Sequence, residues 1–195
     1  MGKTYPYSRP WFFFDQDGTL NQWRWIDKSI VATPGYFRTV VPHEQVIEAA
    51  ALLNRYYPVG SYGAVWQDGH SQSDKDWWLD VYASFIAADR RFYVPCGTEK
   101  ASFFQQLIGR PITRADILID DCSDVLRSWE RFGGTGVKVR TPENGRHGSW
   151  MGLSFDYDAP AEQIAEYLVL VQKCILSGSL SVINPVSKQG CNVKK

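Results

Sequence analysis

The run Trp11-Phe12-Phe13-Phe14 is uninterrupted by any polar residue and stops abruptly at Asp15-Gln16-Asp17-Gly18. A buried strand that ends in two carboxylates and a glycine is costly to make unless the charge is used. In extended backbone, residues two apart point to the same side. Asp15 and Asp17 are therefore expected to face one site, with Gln16 turned away. Two carboxylates converging at a strand end repel each other unless a cation or a shared proton intervenes. For an all-oxygen site the usual cation is Mg²⁺.

The rest of the chain supplies the frame. Short apolar runs at 57–59, 92–94, 117–119 and 137–139 read as further strands. Between them lie segments of helical period at 43–56, 74–88, 99–108, 124–132 and 160–176. Thr98 and Ser123 are the expected N-caps of the third and fourth of these helices, and Gly109 and Gly133 their stops. Strand–helix alternation predicts an α/β fold, a three-layer Rossmann-like parallel sheet with helices on both faces. In such sheets ligands sit outside the carboxyl ends of the strands.

The chain has 195 residues, enough for one domain. That domain is expected over 1–177, with a short insert near 21–41 and a loosely packed tail over 178–195. Lys+Arg and Asp+Glu balance at 21 each, which argues against a long nucleic acid as partner, since phosphate backbones draw on a basic surface. Cys96, Cys122, Cys174 and Cys191 are widely spaced and form neither a zinc pattern nor a disulfide framework. Cys122, beside acidic neighbours, reads as a packing residue. No apolar stretch is long enough to span a bilayer, and residues 1–10 lack the apolar core of a signal peptide. A soluble, cytoplasmic protein with no membrane partner is the expectation.

The strand ends carry the chemistry. The first delivers Asp15 and Asp17. The second is expected to end near Ser61. The third is followed by Lys100, and the fourth ends in Asp120-Asp121. Two acidic clusters, a hydroxyl and an ammonium at one sheet edge suit phosphoryl transfer, in which a carboxylate attacks phosphorus and a second moves the proton. The segment Gly133-Gly134-Thr135-Gly136 is not a dinucleotide loop, because it precedes a strand instead of following one.

In order and spacing, Asp15-Gln16-Asp17-Gly18-Thr19-Leu20, Ser61, Lys100 and Asp120-Asp121 resemble the four signatures of the haloacid dehalogenase (HAD) superfamily of phosphohydrolases. The stretch Ile117-Leu118-Ile119-Asp120-Asp121, with Trp129-Glu130 and Gly133-Gly134-Thr135-Gly136-Val137, looks most like the 5′(3′)-deoxyribonucleotidase branch and its bacterial and phage relatives. The resemblance spans residues 10–152. It implies Asp15 as the nucleophile that forms an aspartyl-phosphate and Asp17 as the acid and base. It also implies Mg²⁺ held by Asp15, the Asp17 carbonyl and Asp121, with Asp120 as a water-mediated partner. Ser61 and Lys100 would bind the phosphoryl group.

The implied activity is Mg²⁺-dependent hydrolysis of a small phosphomonoester, with a nucleoside monophosphate as the first substrate class. Sugar phosphates or polynucleotide ends are the enzymatic alternative, and a non-catalytic Mg²⁺- or ligand-binding module is the other. The insert at 21–41 is too short for a full cap domain. Its aromatics, Trp23, Trp25, Tyr36 and Phe37, are candidates to stack on a base. Lys75, in the loop after Ser61, is a candidate for the opposite wall.

Overall fold

The computed structural model describes residues 11–23, 27–144 and 150–178. Trp25 and most of the tail expected from 178 onward therefore lie outside the described residues. Six strands form one sheet: β1 (Trp11–Phe14), β2 (Val59–Val65), β3 (Arg91–Pro95), β4 (Asp116–Asp120), β5 (Thr135–Arg140) and β6 (Leu153–Asp156). Their order is β3-β2-β1-β4-β5-β6, and every pairing is parallel. Six α-helices accompany them: α1 (Lys28–Val31), α2 (Glu44–Asn54), α3 (Ser71–Tyr82), α4 (Lys100–Ile108), α5 (Ser123–Arg131) and α6 (Ala161–Ser177).

The aromatic run explains the three layers. Phe12 and Phe14 point into one core with Val46 and Leu53 of α2, Trp78 of α3, and Ile164 and Leu168 of α6. Trp11 and Phe13 point into the other, against Phe104 of α4 and Leu126 and Trp129 of α5. Burial of each such side chain contributes about 1.5–3 kcal/mol, so a strand without a polar face is stable only when covered on both sides.

After β1 the chain builds outward through β2 and β3, then returns to place β4 on the other side of β1. The crevice of such a sheet opens at the carboxyl ends of the two strands where the direction reverses. Here those strands are β1 and β4, whose ends carry Asp15 and Asp120. The Asp15 N–H donates to the Ile119 carbonyl at 2.8 Å, which locks the two acidic motifs side by side.

Four features depart from the sequence reading. β2 begins at Val59 and runs on to Val65, well past Ser61. Pro58, Gly60 and Gly63 disguise it, but ladders on both sides with β1 and β3 impose the extended backbone. α3 starts at Ser71, three residues early, because Asp68 Oδ1 accepts the His70 and Ser71 N–H groups at 3.0 and 2.8 Å. β6 was not anticipated; it is a four-residue edge strand paired only with β5. The N-caps of α4 and α5 are Glu99 and Cys122, each one residue from the expected Thr98 and Ser123. No helix among the described residues is long and apolar enough to cross a membrane.

Candidate active site

Asp15 sits immediately past β1 and is 7% exposed. Lys100, the first residue of α4, reaches down to it. Its Nζ donates to Asp15 Oδ1 at 2.6 Å and to Asp120 Oδ2 at 2.8 Å. Burial works against the Lys100 charge, but Asp120 and Asp15 together outweigh it and hold the ammonium protonated well above the ordinary lysine range. Asp120, the last residue of β4, also accepts the Cys122 N–H at 2.8 Å through Oδ1. Cys122 itself is exposed, not packed; its backbone does the work of fixing Asp120.

Asp121 completes the cluster. Its Oδ2 accepts from Asn144 Nδ2 at 2.7 Å. Asn144 is in turn held in a turn after β5, where its Oδ1 accepts the Thr141 N–H at 3.0 Å. No local sequence signal marks Asn144, which lies 23 positions from its partner. Asp15, Asp120 and Asp121 each offer one carboxylate oxygen, and the three atoms lie within 4.8 Å of one another.

Three carboxylates gathered around one ammonium cannot all ionise cheaply. Burial, then the charges of Asp120 and Asp15, push Asp121 up to about 8. Burial raises Asp120 to about 6, with Lys100 pulling it down and Asp15 up. This surplus of hard oxygen donors is what a divalent cation such as Mg²⁺ would neutralise. Asp15, Asp120 and Asp121 are the residues that could hold it.

Asp17 stands beside this group, and its side chain is 20% exposed. Its pKa is raised by burial, against the pull of Lys75. The Lys75 Nζ donates to Asp17 Oδ2 at 2.5 Å.

The remaining sequence candidates divide. Ser61 lies inside β2, opposite Phe14, and is 1% exposed. Its Oγ is buried with no hydrogen-bond partner. The β2 residue that borders Asp15 is Gly63, where a Cβ would lie 3.7 Å from Asp15 Oδ1. The two-residue offset follows from the longer β2. Phe37 is fully buried and Lys75 is 1% exposed, so neither presents a wall to a substrate. They pack on each other instead, with the Lys75 ammonium 4.5 Å from the Phe37 ring centre. Tyr36 is half-buried and stands edge-on to Trp23, ring centres 6.5 Å apart. Tyr36 packs on Phe37, ring centres 5.2 Å apart, and Phe37 covers the Lys75 ammonium that bonds Asp17, which puts Tyr36 on the Asp17 side of the site; its phenol is raised by burial and by the Asp17 charge.

Neither a protein-family model nor a curated protein matches the chain. Among solved structures it is similar to D,D-heptose 1.7-bisphosphate phosphatase from B. bronchiseptica, complexed with magnesium and phosphate. That likeness has a TM-score of 0.56 at 18% identity and covers 83% of this chain and 98% of that one. A slighter likeness is to DsGPDH of Dunaliella salina, with a TM-score of 0.41 at 15% identity over 67% of this chain and 24% of that one; it carries no argument. The first likeness shows a shared fold.

Proposed function

We propose that the chain is a HAD-like, Mg²⁺-dependent phosphomonoesterase working through an aspartyl-phosphate on Asp15. The observation that carries the reading is the convergence of Asp15, Lys100, Asp120 and Asp121 at the β1/β4 carboxyl edge, with Asp17 alongside. The shared fold with a phosphatase complexed with magnesium and phosphate supports it. A binding module would need the acidic cluster but not the second carboxylate of Asp15-Gln16-Asp17.

In this reading the Asp15 carboxylate attacks phosphorus, and the bond to the ester oxygen breaks. Lys100 holds Asp15 in place and balances charge on the phosphoryl group. Asp17 gives its proton to the departing alkoxide, then takes one from the water that hydrolyses the acyl-phosphate. Mg²⁺ held by Asp15, Asp120 and Asp121 would supply positive charge to the phosphoryl oxygens. Of the acidic pair, Asp121 is the better direct ligand, because Asp120 already accepts from both Lys100 and Cys122.

For the substrate, a nucleoside monophosphate is favoured by Trp23 and Tyr36 on the Asp17 side, where the leaving group departs. Sugar phosphates are the second reading, favoured by the shortness of the insert and by the neighbour's heptose bisphosphate. The test is a rate panel of nucleoside monophosphates, sugar phosphates and an aryl phosphate. Turnover should require Mg²⁺, stop with EDTA, and vanish in Asp15→Asn while the circular dichroism spectrum is unchanged. An active Asp15→Asn variant would remove the nucleophile assignment.

A further inference from the structure

We propose that Lys75 is a positioning residue for Asp17, the anchor that sets how this carboxylate faces the leaving group. The inference rests on the phosphomonoesterase reading above, and on a buried ammonium which that mechanism leaves without a task. Lys75 lies in α3, 58 positions from Asp17, and its side chain is 1% exposed. One donor goes to Asp17 Oδ2 at 2.5 Å and another to the Ala64 carbonyl at 2.6 Å. The ring of Phe37 covers a further side at 4.5 Å.

These contacts take the ammonium out of reach of a substrate. A charge buried this deeply carries a large desolvation cost, which is offset only in a fixed, well-paired geometry. The geometry is anchored at both ends. The Ala64 carbonyl belongs to β2, and the Lys75 backbone carbonyl accepts from Gln16 Nε2 at 3.4 Å. Among the described residues, Asp17 is otherwise held only by a long 3.5 Å contact from Asn21 Nδ2 to Oδ1. Lys75 is therefore the strong restraint on the Asp17 side chain. The same helical turn carries Asp74, which accepts from Gly35 N–H and Arg38 Nε, both at 2.6 Å. The insert and the acid thus share one rigid support.

A carboxylic acid matters most where the leaving group is a poor one. An alkyl alkoxide needs a proton in the transition state, whereas p-nitrophenolate does not. Positioning of general acids is worth about 10²–10⁴-fold where the proton is needed. The experiment compares kcat/KM, which reports the leaving-group step, for an alkyl phosphomonoester and p-nitrophenyl phosphate. Lys75→Met should lower the alkyl value at least about tenfold more than the aryl value, in the same sense as Asp17→Asn. Combining Lys75→Met with Asp17→Asn should cost little beyond Asp17→Asn alone, since the two act as a unit. Should Lys75→Met not fold, Lys75→Gln, which retains a donor for the Ala64 carbonyl, carries the same comparison. Equal losses on both esters, or losses that add in the double variant, overturn the inference while leaving the phosphatase reading intact. A wild-type chain inert toward both esters overturns the reading and the inference together.

Discussion

Gly18 shows how tightly single residues constrain this site. Its backbone sits at φ +80°, and a Cβ built there would lie 2.5 Å from the Asp121 carboxylate. Left-handed backbone costs an ordinary L-residue roughly 1–2 kcal/mol. The clash adds to that, and Asp121 is already tied to Asn144 through Oδ2. Gly18→Ala should therefore destabilise the fold by about 1–3 kcal/mol and displace Asp121, weakening Mg²⁺ binding. A urea melt and a calorimetric Mg²⁺ titration check the two halves. Wild-type Mg²⁺ affinity in the variant would mean that Asp121 is not a ligand. The glycine of Asp15-Gln16-Asp17-Gly18 is thus tied to a residue more than a hundred positions away. Local reading takes it only as part of a turn.

Single elements explain why some of the site was readable from the chain and some was not. β1 and β4 announce themselves, because an apolar run followed at once by carboxylates is a local pattern. Asp15, Asp17, Asp120 and Asp121 fall where that pattern puts them. Lys100 also falls at the site, although only the tertiary fold turns its side chain inward from the start of α4. β2 hides behind Pro58, Gly60 and Gly63; small residues lower strand propensity, and pairing on both edges overrides it. Ser61 is misread for that reason alone. Lys75 and Asn144 act across 58 and 23 positions, and no short-range periodicity reports such pairs. β4 also carries a structural device at its opposite end. Asp116 accepts from Arg110 Nη1 and Nη2 at 2.6 and 2.7 Å, and from the Thr113 N–H at 2.8 Å. Removing a buried partner strands the other charge, at a cost of about 3–5 kcal/mol. Asp116→Ala should lower stability by about that much in a denaturant titration. The kcat of the protein that remains folded should be unchanged, because the pair lies at the end of β4 away from the site. A loss of kcat without a loss of stability would place Asp116 in the chemistry instead.

At the scale of the whole molecule, the acidic edge couples protonation to folding. The sheet gathers Asp15, Asp120 and Asp121 at one place, and holds Asp121 up to about 8 against an ordinary value of 3.8. Between those two values the native chain keeps a proton that the unfolded chain has lost. Where the native state binds more protons, stability falls as pH rises. The contribution is complete below the unfolded value and is lost as pH passes through the native one. His43 works in the opposite sense, since burial holds it below its ordinary 6.5, but its effect is complete above that value. From about pH 7 to about pH 8.5 His43 therefore no longer contributes to the slope, and Asp121 releases its proton there, in the same sense as Asp17, which burial also raises. In EDTA the melting temperature should fall across this window. On the proposed reading Mg²⁺ would bind the native cluster and not the unfolded chain, and at a hundred times its Kd such a ligand stabilises by about 2.7 kcal/mol. Because Asp121 must give up its proton to bind, the Mg²⁺-induced rise in melting temperature should be larger at the upper end of the window than at the lower. Asp121→Asn removes the group that titrates in this window at about 8, so it should make the EDTA profile shallower and reduce the pH dependence of the Mg²⁺ shift. A melting temperature in EDTA that climbs between about pH 7 and about pH 8.5 would mean that the native chain does not hold the extra proton on Asp121, and that these carboxylates are not crowded in the absence of a cation.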